Sequence, residues 1–205
     1  MKKKTEAKRQ AIVDIAAEVF RELGFEGASM SEICRRVGGS KATIYNYFSS
    51  KVLLFFEVMH QANHAQFVTI HAMLDLEAED VGEALRLFGE ALLLFIYSAD
   101  VMAIRRLVMT NACNGSLGQT CFELGPRRSM DEISEFLRSA IERGQLRPCA
   151  PAVATFHLRG LLESELLDSL IFRVDETIST ERIKAAVERA IAVFMAAYGP
   201  TTAAA

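Results

Sequence analysis

The residues with chemistry to offer are gathered near the N-terminus. Between Ser29 and Lys51 the chain runs SMSEICRRVGGSKATIYNYFSSK, and Lys41, Ala42, Thr43, Asn46 and Tyr47 within it are small, hydroxylated, amide-bearing or basic. A buried helix would carry leucines there, so a helix with this face is built to touch something outside the protein. Lys41 can donate to guanine O6 and N7 or to a phosphate, and Ala42 and the Thr43 methyl can meet a thymine methyl. Tyr45, Tyr47 and Lys51 suit backbone phosphates, which fix register without reading sequence.

Two short helices have to position these side chains. Ser29 followed by Glu32 has the spacing of a capping box, which starts a helix at Met30. Its apolar residues Met30, Ile33, Cys34 and Val37 line one face. Gly38 ends it, because glycine alone enters the left-handed conformation without strain. Ser40 then caps a helix to Phe48, in which Ile44 and Phe48 bury together. Ser49 or Ser50 caps a third helix with Lys51 in its first turn. This is the layout of a helix-turn-helix, whose second helix enters a DNA major groove. An ordinary helical hairpin has the same local pattern, and pattern alone leaves both open.

Residues 8 to 55 resemble the DNA-binding domain of TetR-family transcriptional repressors. The resemblance is carried by Leu23-Gly24-Phe25, Ser29 to Ile33, Val37-Gly38, and Ser40-Lys41-x-Thr43-Ile44-Tyr45-x-Tyr47-Phe48-x-x-Lys51. One departure is Gly39, where that family usually has an apolar residue. The resemblance gives these groove and phosphate roles to the matching positions here, with Ser31 and Arg35 bordering the same surface. It also implies a homodimer on a palindromic double-stranded DNA operator, regulated by an unidentified small-molecule effector.

Composition bounds the rest. With 51% hydrophobic residues in 205 the chain can bury a substantial core. Net charge is −3, but residues 1–58 hold 10 Lys and Arg against 7 Asp and Glu, so basic charge is concentrated where phosphates would be. Lys2, Lys3, Lys4, Lys8 and Arg9 suit an arm tracking phosphates, and equally a solvated terminus. Apolar runs such as Ala91 to Tyr97 are too short to span a bilayer. No secretory signal is recognisable, so a cytoplasmic protein with no membrane partner, no cofactor and reduced cysteines is expected. Cys113 and Cys121 have no basic neighbours in sequence and are expected to be inert thiols.

The whole chain reads as all-α. The expected organisation is an N-terminal three-helix helix-turn-helix DNA-binding domain (1–52), a C-terminal helical ligand-binding and dimerisation domain (53–200) and a frayed tail (201–205). Residues 5–23 form the first helix. A helix from about Ser50 to Asp75, roughly 40 Å long at 1.5 Å per residue, joins the two parts. Asp80 and Glu83 open a further helix, Asp100 to Cys113 forms the next, and Gly125-Pro126 breaks a short one. Long helices near Pro151–Phe172 and Thr180–Tyr198 finish the chain.

Beyond residue 75 the chain resembles, more diffusely, the C-terminal domain of the AefR-like group, particularly over Arg106 to Gly125 and Ala140 to Arg147. That resemblance implies an internal pocket, for which His64, Phe67, Ile70, Phe88, Phe95, Met102, Met109 and Phe156 are candidates. It also implies a four-helix-bundle dimer, for which Leu158, Leu162, Leu166, Leu170, Ile191, Phe194 and Met195 are candidates.

A second chemistry is open to the long helix. Glu57, His60, His64 and His71 fall near one face, and Glu57-x-x-His60 is a spacing used in di-iron bundles, so an alternative is a metal-binding or enzymatic helical bundle. Against it, His60 and His71 are about 16 Å apart along the axis, and His157 has Ala154 where a second Glu-x-x-His would need glutamate. No metal site is expected.

Overall fold

The computed structural model describes residues 5–111, 117–175 and 177–200. Lys2, Lys3, Lys4, Cys113 and the tail 201–205 lie outside the described residues. The described elements are helices: α1 (Glu6–Gly27), α2 (Met30–Val37), α3 (Lys41–Tyr47), α4 (Lys51–His71), α5 (Val81–Ile96), α6 (Ala99–Asn111), α7 (Leu117–Phe122), α8 (Arg128–Glu142), α9 (Pro151–Glu163), α10 (Leu167–Ile171) and α11 (Thr180–Tyr198). No single helix among the described residues is long and apolar enough to cross a membrane.

Two apolar cores organise these helices. The first gathers Ile12, Ala16, Val19 and Phe20 of α1, Ile33 and Cys34 of α2, Ile44 of α3, and Leu54 and Val58 of α4. The second is built from α5, α8, α9 and α11, with Phe88, Phe136 and Phe194 fully enclosed. α4 enters both, since its far end supplies Ile70 to the second. A small cluster of Phe56, Leu117 and Cys121 lies between, backed by Ile104 and Val108 of α6.

Local signals explain most boundaries. Ser29, Ser40, Ser50 and Asp80 each accept a backbone N–H three residues on, from Glu32, Thr43, Leu53 and Glu83. Both capping boxes are only half made. Glu32 turns to Arg35 and Arg36, and Glu83 to Arg86, because a charge-assisted bond to a guanidinium outcompetes one to a backbone amide. Gly24, at φ 68°, kinks α1 where its end was expected, and Phe25 packs against Phe20 and Phe55.

Two expected boundaries are corrected. Gly125-Pro126 does not break the chain: α7 passes through a π-helical turn, Glu123–Arg127, directly into α8. The wider turn accommodates a proline that has no N–H to give and whose ring would crowd a regular α-helix. The helix expected over Pro151–Phe172 is interrupted after Glu163 and resumes as α10.

Candidate nucleic-acid interface and effector cavity

α3 is held from behind by Ile44 and Phe48, both buried in the first core. That anchoring leaves Lys41, Ala42, Tyr45 and Asn46 exposed on the opposite side. The Lys41 ammonium lies 5.9 Å from the centre of the Tyr45 ring, so the two share one patch. Thr43 is half-buried, its hydroxyl 2.8 Å from that of Ser40, which leaves its methyl as the contact group. Tyr47 is also half-buried, and its hydroxyl accepts the Thr5 backbone N–H at 3.1 Å, joining α3 to the start of α1. Ser31 and Arg35 are exposed on α2. Arg35, with Arg36, holds the Glu32 carboxyl down at about 2.

Lys51 departs from expectation. Its ammonium donates to the carbonyls of Phe25 at 2.8 Å and Ala28 at 3.1 Å and sits 4.2 Å from the Phe25 ring centre. It therefore clamps the carbonyl end of α1 inside the domain instead of facing outward to a phosphate.

In the second part, α4, α5, α6, α7, α8, α9 and the π turn enclose a cavity of about 490 Å³. Of the expected pocket residues, His64, Phe67, Phe95 and Met109 line it. Ile70, Phe88 and Met102 do not: they are 4%, 0% and 3% exposed and belong to the packed core. Phe156 is corrected outright, being 61% exposed on the outward side of α9. Helical periodicity marks which residues turn inward but not whether they meet a neighbour or a void, and α9 presents two apolar faces.

Sequence reasoning also missed lining residues. Phe56, Met59 and Asn63 line the cavity from α4, Arg105 from α6, Phe122 and Leu124 from α7 and the π turn, and Arg159 and Glu163 from α9. The polar members of this set gave no local signal, since Arg105 and Glu163 meet across 58 residues.

The histidine row divides. His60 and His64 line the cavity with ring centres 6.0 Å apart, and burial draws the His60 pKa down. His71 is buried; its Nδ1 faces the Phe67 carbonyl at 2.9 Å and must donate to it, leaving Nε2 to accept from the Ser129 hydroxyl at 2.8 Å. Glu57 pairs with Arg9 of α1 at 2.7 Å and with Gln61. Among the described residues no three His, Cys, Asp or Glu side chains converge as a metal site would require. Cys121 borders the cavity, and burial pushes its thiol up to about 11, away from the reactive thiolate.

The expected dimer residues need the largest correction. Leu158, Leu162, Leu166, Leu170, Ile191 and Phe194 are 0–6% exposed within this one chain, and Met195 packs against the second core and near Gly82. The six buried ones cannot also reach a partner, whereas Met195 is only partly buried. The apolar side chains that α9 and α11 turn outward are Val153, Phe156 and Val193, at 47%, 61% and 53% exposure.

Two family models match the chain. "Bacterial regulatory proteins, tetR family" matches residues 12–58, and "AefR-like transcriptional repressor, C-terminal domain" matches residues 83–200. Among curated relatives, the uncharacterised HTH-type transcriptional regulator YvdT of Bacillus subtilis is 43% identical over 51 residues, covering 25% of this chain and 26% of its own. The HTH-type transcriptional regulator AcrR of Shigella flexneri is 28% identical over 110 residues, 53% of this chain and 49% of its own. These matches thus span from about a quarter to about half of the relatives' length. Similar solved structures cover far more. A TetR-family regulator from Mesorhizobium loti has TM-score 0.78 and 25% identity over 96% of this chain and 100% of its own. The flavonoid-responsive regulator FrrA has TM-score 0.70 and 25% identity over 97% and 100%. Both family models and all of these named relatives are regulators rather than enzymes. With its helix-turn-helix at one end and a matched regulatory domain over most of the remainder, the chain belongs to the TetR family of bacterial regulatory proteins, with a C-terminal domain of the AefR-like kind.

Proposed function

We propose that the protein is a ligand-responsive transcriptional repressor that binds a palindromic operator as a homodimer. The observation that carries this is the double membership of α4. Leu54 and Val58 anchor it in the core under the helix-turn-helix, while Phe56, Met59, His60, Asn63, His64 and Phe67 form a wall of the cavity. A ligand pressing on that wall moves the recognition helix with it. The residues proposed to face DNA are Ser31, Arg35, Lys41, Ala42, Thr43, Tyr45, Asn46 and Tyr47, and the division near residue 52 is functional rather than a gap, since α4 is shared.

One such domain makes few base contacts, so specificity calls for two copies on half-sites about 34 to 36 Å apart or multiples of that spacing. The pairing surface we assign is the outward face of α9 and α11. There Val153, Phe156 and Val193 stand among exposed Gly160, Ala192 and Ala196, and nothing lies within 4 Å of a side chain built at Gly160. Small residues beside protruding apolar ones let a partner's helices approach closely. A shift of a few ångströms between the two recognition helices then loses register with the half-sites. FrrA, similar over its whole length, is described as flavonoid-responsive, in keeping with a small-molecule effector here.

Selection of bound sequences from a random duplex pool, followed by salt titration of the winners, tests this. A palindrome is expected, with affinity falling steeply as salt rises because neutralised phosphates release counterions. No enrichment, or a flat salt response, would sink the proposal.

A further inference from the structure

One wall of the cavity is charged in an uneven way. Glu163 accepts from Arg105 Nη2 at 3.1 Å through one carboxylate oxygen and from Arg159 Nε at 3.2 Å through the other. The carboxylate side chain is 9% exposed, whereas the arginines are 28% and 33% exposed. The cavity therefore meets the cationic faces of two guanidiniums with the single anion tucked beneath them. Each guanidinium has one hydrogen bond to the protein among the described residues, and its other N–H groups are left to serve something else.

Among the described residues no other carboxylate lines the cavity, and the imidazoles of His60 and His64 can each supply a donor. The remaining wall is apolar and strongly aromatic, including Phe56, Phe67, Phe95, Ile104, Val108 and Phe122.

Building on the reading of this cavity as the effector site, we infer that it takes a ligand with an apolar body and one anionic or strongly hydrogen-bond-accepting group seated on Arg105 and Arg159. A cationic ligand would meet two fixed cations against one carboxylate already shared by both. A volume of about 490 Å³ suits a body of two or three rings or a medium-length chain.

The test is calorimetric titration of the full chain with two matched triplets: naphthoate, naphthylmethanol and naphthylmethylammonium, then decanoate, decanol and decylammonium. Within each triplet the carboxylate is expected to bind about tenfold or more tighter than the alcohol, with the ammonium weakest. Glu163→Gln removes the competing anion and strengthens carboxylate binding several-fold. Arg105→Gln or Arg159→Gln removes most of the carboxylate's advantage and leaves the alcohol unchanged. If Glu163→Gln does not fold, the Arg105 and Arg159 variants decide the matter. Ammonium probes binding as tightly as carboxylates, or no probe of either triplet binding at millimolar concentration, would overturn the inference. Operator binding is measured separately on ligand-free protein, so loss of the DNA reading and loss of the ligand class are separate outcomes.

Discussion

Two lysines ten positions apart show how far a side chain's role depends on what surrounds it. Lys41 is exposed beside Tyr45, whereas Lys51 is consumed by two carbonyls and a ring. Lys41→Ala is expected to weaken operator binding more than binding to random DNA, as compared by fluorescence anisotropy; equal losses would make Lys41 a phosphate contact only. Lys51→Met should instead destabilise the N-terminal domain by about 1–3 kcal/mol in denaturant, through lost charged hydrogen bonds and ring contact, with operator affinity of the folded protein unchanged. A specific loss of DNA affinity without a loss of stability would restore it to the interface. The sequence made Lys41 legible because its neighbours Ile44 and Phe48 fix which way its helix faces. Lys51 was not legible, since its partners Phe25 and Ala28 are supplied by α1 and by the link that follows it. The same holds for Glu32, whose expected return to the cap was pre-empted by Arg35 and Arg36 on the next turn.

At the level of elements, caps and glycines were readable and contacts between helices were not. Gly38, at φ 70°, turns α2 into α3 as its position implied. Gly89 carries no such local signal, sitting unremarked inside α5. A Cβ built there would lie 2.9 Å from Leu162 Cδ2 and 3.0 Å from Val187 Cγ1, so the glycine sets how closely α5 approaches α9 and α11. Gly89→Ala should gain up to about 1 kcal/mol in helix propensity and lose about 1–3 kcal/mol to overpacking, a net loss read by thermal denaturation. A gain in stability would show that Leu162 and Val187 yield freely. The π turn through Pro126 was likewise unreadable, because a proline after glycine ordinarily ends a helix and only the packing of α7 against α6 and of α8 against α9 holds this one in place.

At the scale of the whole molecule, the proposed dimer turns on which apolar faces the fold leaves uncovered. The leucines of α9 form a continuous stripe in sequence, and nothing local distinguishes a stripe covered by α5, α8 and α11 from one covered by a partner. Burial makes that distinction and leaves Val153, Phe156 and Val193 as the apolar face proposed for pairing. Phe156→Glu is expected to weaken dimerisation by about tenfold or more while leaving the helical signal intact, as sedimentation and circular dichroism would show. Leu158→Glu, by contrast, should unfold the C-terminal part. A dimer undisturbed by Phe156→Glu would place the interface elsewhere.

The two separate cores have a consequence for how such a protein changes over time. Substitutions on the outer face of α3 answer to one core, and substitutions around the cavity answer to the other, so neither set has to be compatible with the other in packing. What must stay compatible is narrow: α4 itself, the Arg9 and Glu57 pair, and the small cluster of Phe56, Leu117 and Cys121. A lineage can therefore acquire a new target sequence or a new chemical trigger one at a time, keeping the linkage between them as common property.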